Sequence, residues 1–234
     1  MEHTQPERLY DFREDWALQY QESARTKIPG YETLFRLADC LLCRELPEAA
    51  DVLVVGGGGG EELCTIGLDK NWRMLVVDPS VPMCQGARGR AASIGIMERC
   101  EVVEGYLSDL PQGRIHDAAT CLLVMHFLPR EGQAALLSEL HRRLKPGAPV
   151  VMAHLVKFAR ESENAWMADF WRDFLIRSGV DAESVEQQRL AREREVTMLT
   201  EDEFRHLCAD AGFEVVARVS QALHFTQWML RRRE

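Results

Sequence analysis

The sequence predicts a single α/β domain built on an open, mostly parallel sheet with helices on both faces, and three observations predict it. Short apolar, β-branched runs at residues 51–55, 74–77, 100–103, 118–124 and 149–155 alternate with helical patterns, as βαβ units require. The first run empties into five consecutive glycines at 56–60. The second ends on Asp78. A glycine turn and a carboxylate thus stand at the carboxyl ends of two early strands, where open parallel sheets bind their ligands.

A chain of 234 residues that is 46% hydrophobic and 28% charged can bury the core of one such domain. Thr4 and Glu7 have capping-box spacing, and Leu9, Phe12, Trp16 and Tyr20 follow at helical intervals, so the chain opens on an amphipathic helix. Ile28, Pro29 and Gly30 stop it. A second helix over 31–46 completes a helical lid, residues 1–46, before the first strand at 51–55. Met83, Ala87, Ala91 and Ile94 mark the helix after the second strand. Leu136, Leu140 and Leu144 mark the one after the fourth, closed by Lys145, Pro146 and Gly147 before the strand at 149–155.

Residues 157–199 interrupt the alternation as a helical insertion. Its first half carries Trp166, Met167, Phe170, Trp171, Phe174 and Leu175 on one broad face, read as core or as a homodimer contact. Its second half, 181–195, is nearly all polar and reads as a solvated helix. Thr200 and Glu203 form another capping box, whose helix ends at Gly212. Phe213, Val215, Ala217 and Val219 then alternate as a strand, and 223–230 reads as an antiparallel partner.

Composition narrows the function. The formal charge of −9 repels a phosphate backbone, so no nucleic-acid partner is expected. No apolar run is long enough to cross a bilayer and residues 1–8 lack a secretory h-region, which predicts a cytoplasmic protein without a membrane partner. The seven cysteines fall in apolar-periodic segments and read as reduced core thiols. Cys40 and Cys43 lack a second pair at zinc spacing, so no metal is expected.

The chemistry gathers at the first turn. Gly56, Gly58 and Gly60 let a ligand approach the backbone, the following helix offers free N–H groups, and Asp78 can accept hydrogen bonds from both hydroxyls of a ribose. Glu61 stands where a dinucleotide fingerprint wants its third glycine, and it would repel a pyrophosphate. His126 after the fourth strand and His154 at the end of the fifth fall on the ligand side, as the candidate general bases.

The run Val52, Leu53, Val54, Val55 and the glycines resembles the first motif of class I S-adenosylmethionine (SAM) dependent methyltransferases, and Val76, Val77, Asp78, Pro79, Ser80 resembles the second. Residues 102–111 and 117–128 resemble the third and fourth motifs. Within that superfamily Ile28-Pro29-Gly30-Tyr31, Phe127-Leu128 and Met198-Leu199-Thr200 are similar to the carboxy-SAM synthase of bacterial tRNA-uridine modification.

The resemblance implies a Rossmann-like, seven-stranded sheet of order 3-2-1-4-5-7-6 and SAM as cofactor, leaving as S-adenosylhomocysteine. It implies cofactor contacts at Tyr31, Gly56, Gly57, Gly58, Asp78, Pro79, the backbone of Tyr106 and Leu107, and Leu122. Three positions depart from the family pattern: Val54 replaces the acidic residue of the first strand, Tyr106 an aspartate, and Leu122 the synthase's asparagine. The synthase's carboxylate-binding arginine aligns at Ala191, with Arg189, Arg192 and Arg194 close enough that a small shift of alignment restores the cation; SAM is nonetheless the expected cofactor, with little effect of Arg192→Ala on its affinity. The activity this implies is methyl transfer to a small-molecule acceptor. Carboxy-SAM synthesis and SAM binding without turnover are the alternatives.

Overall fold

In the computed structural model the described residues are 23–234. The expected helix through Leu9, Phe12, Trp16 and Tyr20 lies outside them. Helix α1 (Tyr31–Glu45) starts after Gly30, whose φ of 73° suits a residue without Cβ, and turns Tyr31, Leu34, Phe35, Ala38 and Leu42 inward. Strand β1 (Asp51–Val55) follows, buried from Val52 onward, then β2 (Arg73–Asp78). Helix α2 (Val81–Ser93) is capped by Ser80, whose side chain accepts from Met83 N–H. The expected face of α2 holds at Met83, Ala87 and Ala91, but Ile94 lies past the last turn and is exposed.

Strands β3 (Cys100–Glu104) and β4 (Ala118–Leu122), helix α3 (Arg130–Arg142) and strand β5 (Pro149–Lys157) complete the parallel part. The insertion forms α4 (Glu161–Arg177) and α5 (Ala182–Glu195). The two-residue β6 (Leu199–Thr200), helix α6 (Glu201–Asp210), and strands β7 (Phe213–Ala222) and β8 (Phe225–Arg232) end the chain. The order is β3-β2-β1-β4-β5-β8-β7, with β6 pairing off β5 and β8 antiparallel to both neighbours. The sheet thus has the seven-stranded path expected, plus one short strand that sequence reading missed. That strand leads directly into the capping box, in which Thr200 and Glu203 bond each other's backbone N–H groups.

Strand order reverses at β1: β2 and β3 are added in parallel on one side of it, and β4 and β5 in parallel on the other. Two hydrophobic clusters cover the faces of the sheet, one including α1 and the insertion, the other α3 and α6. The insertion is tied to the region before α1 by Trp171 Nε1, which donates to Lys27 O at 2.9 Å. The aromatic face of α4 divides. Trp171 and Leu175 are buried, whereas Trp166 and Phe170 are exposed and stack with ring centroids 5.5 Å apart, where the sequence reading placed a dimer contact. Helix α5 is not wholly solvated, because Val185, Gln188 and Ala191 are buried. Cys40 departs from the core-thiol reading by being exposed. Among the described residues no helix is long and apolar enough to cross a membrane.

Candidate functional site

The backbone after β1 does not enter a regular helix. Gly58–Gly60 form one 3-10 turn in which Gly59 and Gly60 have φ of 75° and 79°, a region only glycine enters without strain. Residues 61–69 continue as successive turns, with Ile66 N–H on Glu62 O at 2.8 Å. The expected helix N-terminus is therefore replaced by a tight glycine coil, since consecutive left-handed residues interrupt helical φ/ψ.

This coil floors a cavity of about 640 Å³ that opens where strand order reverses, between β1 and β4. Of the expected cofactor residues, Tyr31, Gly56, Gly58, Asp78, Pro79, Tyr106 and Leu122 line it. Two do not. A Cβ on Gly57 would lie 2.6 Å from Val54 Cγ1 and 2.8 Å from Val76 Cγ1, so Gly57 is small because the coil crosses over two strands. Leu107 is buried in the opposite cluster, with Leu110 and Met125.

The cavity fits an adenosine-bearing ligand at its β2 end. Asp78 Oδ1 accepts the Ser80 N–H at 2.8 Å, and Oδ2 lies beside Gly58, where an added Cβ would come within 3.1 Å of it. Burial pushes the Asp78 carboxyl up to about 6, against the Ser80 hydrogen bond that lowers it. Tyr106 stands exposed after β3, with its N–H donating to Asp109 Oδ2 at 2.8 Å.

Sequence reading missed two parts of the wall. Glu61 and Glu62 follow the last glycine. Glu61 is bound by Arg25 and, at 2.7 Å, by Arg90 Nη1, so it clamps the segment before α1 and helix α2 onto the glycine coil. Arg194, Glu195 and Thr197 come from the end of the insertion, with Phe127, Leu128 and Pro129 beside them. Buried Gln133 joins these two stretches, donating to Leu128 O at 3.1 Å and Thr197 O at 2.9 Å, while Thr197 N–H donates to His126 O at 2.8 Å. Glu61 and Glu62 were legible as acidic residues at a ligand-binding turn. Arg194 was legible only as one of three arginines near the synthase's carboxylate-binding position, and no sequence signal marks Glu195 or Thr197.

The candidate bases are not where the sequence put them. His154 lies within β5, not at its end, and its ring packs 4.4 Å from that of Phe204, away from the cavity. His126 is buried and lines a smaller neighbouring cavity, of about 60 Å³, rather than the main one. Burial and the nearby His154 push the His126 imidazole down to about 3, and burial holds His154 near 4. Both imidazoles are therefore neutral and weakly basic at pH 7, and neither lines the main cavity. Arg192 also faces the smaller cavity, its guanidinium 5.1 Å from the Trp171 ring centroid. The arginine of the main cavity is Arg194.

Comparison with known proteins accords with this geometry. Residues 52–147, from β1 to the end of α3 and its closing turn, match a family model described as a methyltransferase domain. Those residues form a methyltransferase domain. Over nearly its whole length the chain is similar to curated carboxy-SAM synthases: 26% identical to that of Chromohalobacter salexigens, covering 92% of this chain and 81% of the relative, and 25% identical to that of Haemophilus ducreyi, covering 94% and 91%.

Among solved structures the methyltransferase domain is similar to the Burkholderia thailandensis 1,6-didemethyltoxoflavin-N1-methyltransferase with bound 1,6-didemethyltoxoflavin and S-adenosylhomocysteine. The TM-score is 0.65 at 19% identity, over 94% of this chain and 86% of that one. The Synechocystis magnesium protoporphyrin IX methyltransferase with bound S-adenosylhomocysteine gives 0.66 at 15%, over 91% and 87%. At these identities the structures share the fold, and the acceptor must be argued from this chain's own residues.

Proposed function

We propose that the protein transfers the methyl group of SAM to a small-molecule acceptor in the cytoplasm, and the charge of the cavity wall is the observation that carries this reading. Asp78, Glu61, Glu62 and Glu195 line the cavity against Arg194, whose Nη2 lies 2.5 Å from Glu195 Oε1. SAM bears a sulfonium and an ammonium against one carboxylate, so its net charge is positive, and carboxyl groups able to ionise as it binds favour it. Carboxy-SAM carries a second carboxylate on the transferred carbon and would meet Glu195 beside Arg194.

Asp78 holds the ribose, Gly58 leaves room for it, and Tyr106 flanks the nucleoside at the mouth. The apolar side, formed by Phe35, Leu123, Phe127 and Leu128, receives the acceptor. When bound, SAM supplies an electrophilic methyl group. The chain's own task is to hold an acceptor atom in line with it, and such positioning accounts for much of the rate without a general base.

Carboxy-SAM synthesis is the second reading, favoured by Arg194 in the wall and by relatives that match over nearly the whole chain. Mass spectrometry of the ligand released from purified protein, with transfer of labelled methyl into a metabolite extract, separates the two. The expected result is SAM or S-adenosylhomocysteine together with a labelled product. A carboxy-SAM mass that disappears in Arg194→Ala would replace the methyltransferase reading by the synthase one.

A further inference from the structure

Glu62 is a buried carboxylate for which methyl transfer, as argued above, has no use. It is 3% exposed and lines the main cavity. The arginines nearest the glycine coil, Arg25 and Arg90, both bind its neighbour Glu61. Among the described residues no ion pair reaches Glu62 itself. A carboxylate buried without a cation costs several kcal/mol to ionise, so a carboxyl group kept in the wall of a ligand cavity is arranged for a ligand that brings the cation.

Its position says which part of the ligand. Asp78, Ser80, Pro79 and Tyr106 take the β2 and β3 end of the crevice, where the nucleoside lies under the reading proposed above. The remainder of the ligand must run toward the junction of β1 and β4, formed by Gly56 and Leu122. Glu62 lines the cavity with those two residues, and after burial it is the second cause that raises the Cys121 thiol on β4. Val54, one turn upstream on β1, is apolar and 1% exposed, with nothing to offer an ammonium.

We propose that Glu62 is the anchor for the amino-acid end of the cofactor, its carboxylate receiving the α-ammonium of the methionine portion. The acidic group lost from the first strand is thereby supplied from the turn that follows it. This rests on the SAM reading. Burial, with Glu61 and Asp78 as like charges, pushes the Glu62 carboxyl up to about 8 in the free protein, so at pH 7 the ammonium must displace a proton to form the pair. The groups facing Glu62 are Glu61 on its own turn, held by Arg25 and Arg90, Asp78 from β2, Cys121 from β4 and Tyr31 from α1.

The test compares two ligands that share nucleoside and sulfur. S-adenosylhomocysteine has the α-ammonium and 5′-methylthioadenosine lacks the amino-acid group altogether. By titration calorimetry, Glu62→Gln is expected to bind S-adenosylhomocysteine about ten- to a hundredfold more weakly than the parent, the loss of one charged hydrogen bond. Its affinity for 5′-methylthioadenosine is expected to stay within about twofold. A second measurement needs no variant. Repeating the parent titration at pH 7 in buffers of different ionisation enthalpy should show close to one more proton released with S-adenosylhomocysteine than with 5′-methylthioadenosine, since any contribution of Asp78 is common to both. Equal losses for both ligands, no loss for either, or no difference in proton release overturns the assignment while leaving SAM binding intact. A parent that binds neither ligand overturns the cofactor reading and this inference with it.

Discussion

Replacing Asp78 by alanine removes the carboxylate on which nucleoside binding depends, and its environment sets the size of the loss. One oxygen is committed to Ser80 N–H at 2.8 Å, so Oδ2 carries the ribose contact. A hydrogen bond to a charged group contributes about 1.5–3 kcal/mol. Burial, which has already pushed this carboxyl up to about 6, offsets part of that. The expected net loss is about 1–3 kcal/mol, or roughly five- to 150-fold in Kd.

Calorimetry at pH 8 with S-adenosylhomocysteine and with 5′-methylthioadenosine measures it, and thermal melting controls for folding. Both ligands contain the ribose, so both should weaken equally. Acid should act in the same direction. As pH falls through about 6 the free carboxyl takes up a proton, and parent affinity for 5′-methylthioadenosine, which carries no ammonium for Glu62, should decline, whereas that of Asp78→Asn should be flat there. A variant Asp78→Ala that binds both ligands within twofold of the parent would show that the ribose lies elsewhere.

Gly58→Val should abolish binding of both ligands with the fold retained, because its Cβ starts 3.1 Å from Asp78 Oδ2 and Met83 Sδ; parent-like calorimetry would remove the glycine coil from the site. Glu62, pushed by burial up to about 8 from the ordinary 4.5 of a glutamate, makes the native state bind more protons than the unfolded chain between those values. Stability of the free protein should therefore fall as pH rises from about 5 to about 8, a decline that Glu62→Gln should lessen; denaturant titrations giving identical slopes for parent and variant would show that Glu62 ionises normally. Gly67→Ala should destabilise the fold by about 2–4 kcal/mol, since φ is +61° and the new Cβ would fall 2.3 Å from the Trp72 ring; a denaturation midpoint equal to the parent's would refute that geometry.

The elements that sequence reading recovered are those whose cause is local. The strands and the helices α2, α3 and α6 follow from runs and periods of side chains, and the Thr200–Glu203 box from a spacing of three. Asp78 was legible because a carboxylate closing the second strand of a parallel sheet has one place to go. Errors occurred where a residue's surroundings come from distant chain. His154 reads as a base near a strand end, but α6 and β8 close over it with Phe204 and Trp228. Gly57 reads as cofactor contact, but the side chains of Val54 and Val76 claim its space.

By itself, then, the sequence determined the strand–helix alternation, the glycine break after β1 and the acidic end of β2, because propensity, periodicity and backbone freedom act between residues a few positions apart. Tertiary structure alone decided the rest of the cavity wall. Gln133 draws Thr197 against the turn after β4 and carries Arg194 and Glu195 into a site begun more than a hundred residues earlier. It also decided the state of Glu62, an ordinary surface-looking glutamate in the sequence, because a carboxyl group's charge depends on what buries it and what stands near it, here Asp78 of β2 and Cys121 of β4.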